Sequence, residues 1–198
     1  MPAVTKADLD ILFAEAHTHN GWQDRPVETE LLHRIYELAR LPPTGGNSQP
    51  MRLVFVRSAG AKERLKPALW PANVQKTMAA PVTAIVAYDV DFHLNLPRLF
   101  PARGADMRDK IAASPPEQRL RAAFQGGTLQ GAYVILAARA LGLDCGPMGG
   151  FDNALVDQTF FPDGKWKSNF LINIGYGDPS KVYPRNPRLP FEEACRIE

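Results

Sequence analysis

Apolar residues recur along this chain with two different periods, and the alternation of those periods sets out its elements. Residues 5–16 place Leu9, Leu12 and Phe13 on one helical face, so the spacing predicts an amphipathic helix there. A polar, turn-prone stretch follows, His17 to Trp22. A second helix is predicted over 28–40, with Leu31, Leu32, Ile35, Tyr36 and Leu38 as its apolar set, and Pro42-Pro43 stop it. Thr44 to Pro50 (TGGNSQP) reads as a loop, 52–57 (RLVFVR) as a strand, 61–69 as a short helix and 73–80 as one or two helical turns. Val82 to Tyr88 is nearly all apolar, the pattern of a strand buried on both faces.

Residues 90–115 read as irregular, because Pro97, Pro101, Pro115 and Pro116 interrupt any long element. This stretch is expected to form a variable lid or excursion. The longest helix is predicted over 117–141. Its Gly126, Gly127 and Gly131 cost helix propensity but let another helix approach closely. Beyond it the pattern predicts an extended segment over 143–148, a helix over 153–160 with Asp152 as N-cap, and a strand over 170–176. The remaining tail is rich in Pro and Arg, with a last short helix at 191–195. No GxGxxG turn follows the strand at 52–57, which disfavours a doubly wound dinucleotide fold. The uneven alternation points to an α+β fold, a small sheet flanked by helices in one domain over 1–198.

Composition adds exclusions. Hydrophobic residues are 45% and charged residues 22%, the balance of a folded globular chain. Lys plus Arg number 23 against 21 for Asp plus Glu, so no basic stripe marks a nucleic-acid binder. Cys145 and Cys195 form no CxxC pair, and no disulfide framework or zinc site is expected. Residues 1–12 lack the basic-then-apolar pattern of a signal peptide, and the longest apolar run, 81–88, is too short to span a bilayer. A cytoplasmic protein without a membrane partner is the expectation. His17 and His19 lack acidic or cysteine neighbours for a metal, and His33 and His93 read as structural or exposed. No GxSxG elbow supports hydrolase chemistry.

Four clusters carry candidate chemistry. Thr44, Gly45, Asn47 and Gln49 offer backbone N–H groups and amides suited to a planar heteroaromatic edge, although an ordinary connector has this composition too. Asn73 and Lys76 share a helix face, and a lysine there can stabilise charge on a reduced ring; a solvated surface lysine is the alternative. Pro147, Met148, Gly149 and Gly150 permit a backbone to lie flat against a ligand, or form a plain turn. Arg185 and Arg188, with Lys181 nearby, suit a phosphate, or form a solvated basic tail.

In order along the chain, the polar segment before Trp22, PTGGNSQP, NxxK, GPMGGF, NIGYG and RxxRLP together resemble the FMN-binding nitroreductase superfamily over nearly the whole length. The segments at 18–22, 69–87, 141–148 and 173–178 are most similar to the RutE-like branch, which holds the malonic semialdehyde reductase of pyrimidine degradation. The resemblance implies a nitroreductase-like fold with a mainly antiparallel sheet. It implies a homodimer with FMN at the interface, and ping-pong hydride transfer from NADPH or NADH through N5 to a small aldehyde. A general nitro or quinone reductase, or a flavin-binding protein without turnover, are the rival readings. By the same resemblance Asn47 and Gln49 line the ring and ribityl region, with backbone contacts from Thr44 and Gly45. Asn73 and Lys76 face the pyrimidine edge, and Pro147 to Gly150 run beside the ring. Arg188 and Arg185 hold the phosphate with His17, Thr18 and Asn20. His19 and water are candidate proton donors. The chain departs from the family where Ala16 to Asn20 lacks the two usual cations, and where Gly149 replaces an acidic residue.

Overall fold

A computed structural model describes residues 3–198; Met1 and Pro2 of the expected domain lie outside the described residues. Four strands, β1 (Met51–Val56), β2 (Val82–Asp89), β3 (Asp144–Met148) and β4 (Trp166–Gly175), form one sheet in the order β1-β2-β4-β3, antiparallel throughout. The central strand β2 alternates strictly. Val82, Ala84 and Val86 pack on one face and Ile85 and Ala87 on the other, all at 0% exposure, which is why its sequence is apolar without interruption. The first face is covered by α2 (Thr29–Ala39) and the long α7 (Pro116–Ala140). The second is covered by α3 (Ala59–Leu65), α4 (Pro71–Ala79) and α8 (Asn153–Phe160).

Several elements differ from the sequence expectation. The N-terminal helix is α-helical only over α1 (Lys6–Leu9) and continues as a π-turn over Asp10–Ala14. Its Leu9 and Phe13 are exposed rather than buried. Tyr36 and Leu38 of α2 are likewise exposed. The helix expected at 61–69 ends at Leu65 and tightens to a 3₁₀ turn over Lys66–Ala68. Strand β4 begins at Trp166, four residues early. Its polar start, and a register shift between Val86 and Ala87, hide the strand period.

Residues 90–115 are not irregular. They form a 3₁₀ turn (Phe92–Asn95), α5 (Leu96–Leu99) and α6 (Gly104–Ala112), docked through buried Phe92, His93 and Leu96. Two of the four prolines start helices instead of breaking them, while Pro115 stands just before α7 and Pro101 lies in the turn between α5 and α6. Pro97 and Pro116 occupy first-turn positions, where a missing N–H costs nothing. The glycines of α7 admit the sheet and its flanking loop rather than another helix. A Cβ at Gly131 would stand 2.6 Å from the Phe170 ring and 2.9 Å from Val86, and one at Gly126 would stand 2.7 Å from Pro50. Asp152 caps α8 as expected, accepting from Leu155 N at 3.0 Å. The tail ends in α9 (Phe191–Ala194).

Candidate active site

The segment after the N-terminal helix lies along the open edge of β3. Thr18 bridges Cys145 in parallel, and His19 N donates to the Cys145 carbonyl at 3.0 Å. This leaves Asn20 beside α4, where its Oδ1 accepts from Lys76 Nζ at 3.3 Å. The Trp22 indole N–H donates to the Lys76 carbonyl at 3.0 Å and ties that end of α4 to the same segment. Lys76 is half-buried, and burial holds its ammonium below the ordinary lysine range.

One turn earlier on α4, Asn73 Nδ2 donates to the Gly150 carbonyl at 2.7 Å, and Trp70 N donates to the same oxygen at 3.1 Å. Only glycine fits there, because a Cβ at Gly150 would stand 2.4 Å from Asn73 Nδ2 and 3.1 Å from the Trp70 ring. Gly149 beside it is exposed, with open space where its Cβ would be. The Met148 side chain turns inward, 9% exposed, with its sulfur accepting from Thr77 Oγ1 at 3.5 Å. At this position only backbone faces the site. Two of the four clusters, 73–76 and 147–150, and the segment 17–20 thus form one continuous surface.

That surface opens into a cavity of about 510 Å³ lined by His17, Thr18, Asn20, Pro147, Arg185 and Arg188, and also by Arg139. Arg139 was not among the sequence candidates. It sits near the end of a long helix in an otherwise apolar run, where an arginine reads as a snorkelling surface cation, and only folding turns it into the cavity. Its side chain is 12% exposed, paired with Asp144 and donating to the Ile11 carbonyl at 2.9 and 3.1 Å. Asp144 stays outside the cavity lining, so the wall carries three guanidinium groups and no carboxylate. Arg185 spends donors on the carbonyls of Ala14 and Ala16 at 2.6 and 2.8 Å, closing the end of the N-terminal helix. Among the described residues Arg188 donates only to the tail's own carbonyls, Asn186 at 2.8 Å and Pro187 at 3.2 Å.

Thr44, Gly45, Asn47 and Gln49 stand elsewhere. Their loop precedes β1, at the opposite edge of the sheet from β3, roughly 14 Å away across three strand spacings. Gln49 borders a separate cavity of about 500 Å³ with Arg52, Arg98 and Trp166. Asn47 and Gln49 hold φ of +53° and +44°, a left-handed backbone costing on the order of 1–3 kcal/mol for each such residue. The loop is tied by Gln49 N to Thr44 Oγ1 at 3.1 Å and by Asn47 Nδ2 to the Leu99 carbonyl at 2.7 Å. One chain therefore does not bring this loop to the other three segments.

His19, a proton-donor candidate on sequence, is 8% exposed beneath the cavity, and burial lowers its pKa. Its Nε2 faces Asp144 at 3.3 Å and its ring fills the space beside Gly177, where a Cβ would lie 1.8 Å from Nδ1. It is a packing group and does not line the cavity. Burial pushes the Cys145 thiol up to about 12, which removes it as a nucleophile at neutral pH. Among the described residues no cluster of His, Cys, Asp and Glu is placed to hold a metal, and no helix is long and apolar enough to cross a membrane. The arrangement suits a planar, polar ring with an anionic tail. Such a ligand would find amide and ammonium donors at its ring edge, a glycine backbone alongside and guanidinium groups for its anion.

The nitroreductase family model matches residues 15–176. A relative from Ralstonia nicotianae, named "Putative NADH dehydrogenase/NAD(P)H nitroreductase", is 57% identical over 198 residues, covering all of both chains. Among solved structures, a chain from Exiguobacterium sibiricum in complex with FMN superposes with a TM-score of 0.88 at 19% identity, covering 100% of both chains. A nitroreductase family protein from Streptococcus pneumoniae gives 0.83 at 22% identity, covering 94% of this chain and 98% of that one.

Proposed function

This chain belongs to the nitroreductase family, and from that premise we propose that it is an FMN-dependent NAD(P)H oxidoreductase. The observation that carries the reading is the convergence of Lys76, Asn20, the Asn73–Gly150 pair and a cavity lined by Arg185 and Arg188. These groups fit FMN by chemistry. Arg188, and Arg185 through the donors its carbonyl contacts leave over, would hold the phosphate, His17, Thr18 and Asn20 would add polar contacts, and Asn73 and Lys76 would meet the pyrimidine edge. The backbone of Pro147 to Gly150 would lie along the ring. FMN, when bound, supplies a ring that accepts hydride at N5 from NAD(P)H and returns it to an acceptor. Lys76 stabilises the negative charge that accumulates at the pyrimidine edge on reduction, more strongly because it is half-buried. Gly149 leaves room beside the ring for donor and acceptor in turn, which is the requirement of a ping-pong cycle.

The loop carrying Thr44, Gly45, Asn47 and Gln49 completes this site from a second copy of the chain. Its separation from β3 within one chain supports a homodimer with the cofactor between protomers. The acceptor we propose is a small aldehyde such as malonic semialdehyde, reduced to 3-hydroxypropionate, on the similarity of segments 18–22, 69–87 and 173–178 to the RutE-like branch. The second reading is a general nitro or quinone reductase, and the nitroreductase name of the Ralstonia relative favours its nitro arm.

The test is a visible spectrum of protein purified with FMN, followed by anaerobic NADPH or NADH. A retained flavin spectrum that bleaches is expected. Steady-state rates with malonic semialdehyde, a nitroarene and a quinone then rank the acceptors. Protein that retains FMN without bleaching is a flavin carrier, and protein that binds no FMN is not this oxidoreductase.

A further inference from the structure

Lys62, on α3, is 4% exposed, and among the described residues it meets no carboxylate. Its ammonium donates to the carbonyls of Thr77 at 2.6 Å and Ala80 at 2.5 Å, where the end of α4 leaves acceptors without helical partners. A third contact runs to Thr83 Oγ1 at 3.3 Å. From there every hydrogen bond points one way. The Thr83 hydroxyl donates to Asn173 Oδ1 at 2.8 Å, Asn173 Nδ2 to Thr77 Oγ1 at 3.2 Å, and the Thr77 hydroxyl to the Met148 sulfur at 3.5 Å. Thr77, Thr83 and Asn173 are all at 0% exposure, so water does not substitute for any link.

An ammonium has three donors and no lone pair, and that fixes the direction of the chain. If it loses its proton, two N–H groups still serve Thr77 and Ala80, but the third contact becomes an acceptor. The Thr83 hydroxyl then turns toward the amine, and the buried Asn173 Oδ1 loses its donor. The last link of the chain, Thr77 to Met148, joins two segments of the site. Thr77 follows Lys76 on α4, and Met148 precedes Gly149 and Gly150.

We propose that Lys62 is a positioning residue whose ammonium orients this one-way chain, holding α4 with Asn73 and Lys76 against the Met148–Gly150 turn, so that flavin binding and the Lys62 proton are linked. This rests on the reading of that surface as the FMN site. Burial supports the linkage by bringing the Lys62 titration down to about 8. The elements packed against it present Thr77, Ala80, Thr83 and Asn173, none of them charged.

The experiment measures FMN and riboflavin affinity by flavin fluorescence from about pH 6 to about pH 10, for wild type and Lys62→Met. In parallel, NMR of lysine-labelled wild type follows the Lys62 titration with and without flavin. Affinity for both flavins is expected to fall roughly tenfold as Lys62 deprotonates, and saturating flavin to raise the Lys62 pKa by the reciprocal amount. Lys62→Met is expected to lose that step while keeping any contribution from Lys76. Riboflavin must show the step too, which separates positioning from attraction between Lys62 and the phosphate. If Lys62→Met does not fold, the wild-type NMR titration decides. Flavin binding with an unmoved Lys62 pKa overturns the proposal and leaves the FMN reading intact. Absence of flavin binding at every pH overturns both.

Discussion

Arg185 and Arg188 stand three positions apart on the same tail, yet their guanidinium groups are committed differently. Arg185 closes the N-terminal helix through Ala14 and Ala16, whereas Arg188 holds only its own tail. Arg188→Ala is therefore expected to weaken FMN by roughly tenfold or more, the worth of a charged hydrogen bond at about 1.5–3 kcal/mol, and to leave riboflavin unchanged. Arg185→Ala is expected to lower thermal stability more than flavin selectivity. Equal losses for both flavins in Arg188→Ala would remove it from phosphate recognition. Stability measurements also read Lys62. Between about pH 8 and the ordinary lysine value of 10.5 the unfolded chain keeps a proton that the folded chain has shed, so this group makes folding more favourable as pH rises through that window. Melting curves of wild type should gain on those of Lys62→Met over that range, and a constant gap would mean that Lys62 titrates normally. The four candidate clusters were legible at this scale because glycine, amide and cation types announce themselves. Arg139 was not, since a helical arginine looks the same whether it faces solvent or a cavity.

Among the elements, α7 owes its position to its glycines. Gly131→Ala forces the Phe170 ring and Val86 to move, and overpacking of this kind costs about 1–3 kcal/mol. A drop in melting temperature with the spectrum of bound flavin retained is expected. A wild-type melt would show that the helix shifts freely over the sheet. The strands were legible because β2 is buried on both faces and its composition says so. The helices at 92–112 were hidden. A proline inside a helix breaks it, the same residue at the first turn starts it, and composition does not distinguish the two.

At the scale of the molecule, one chain leaves Leu120 and Phe124 exposed on one face of α7, together with Leu9, Ile11 and Phe13 and most of the tail. Sedimentation should show a species of twice the chain mass, and Leu120→Asp with Phe124→Asp should yield monomers with weakened FMN binding. A wild-type monomer that binds FMN fully would remove the second chain from the site. The sequence by itself determined most element types outside 90–115, the α+β class and the residue types suited to a flavin, because these follow from local periodicity and from the chemistry of short motifs. Tertiary structure alone decided that residues 17–20, 73–76 and 147–150 share one surface while 44–49 lies at the far edge of the sheet. It also turned Arg139 inward and buried His19 and Lys62. Such outcomes depend on strand order and on which face of a helix is covered, and these arise from contacts between segments that no local pattern encodes.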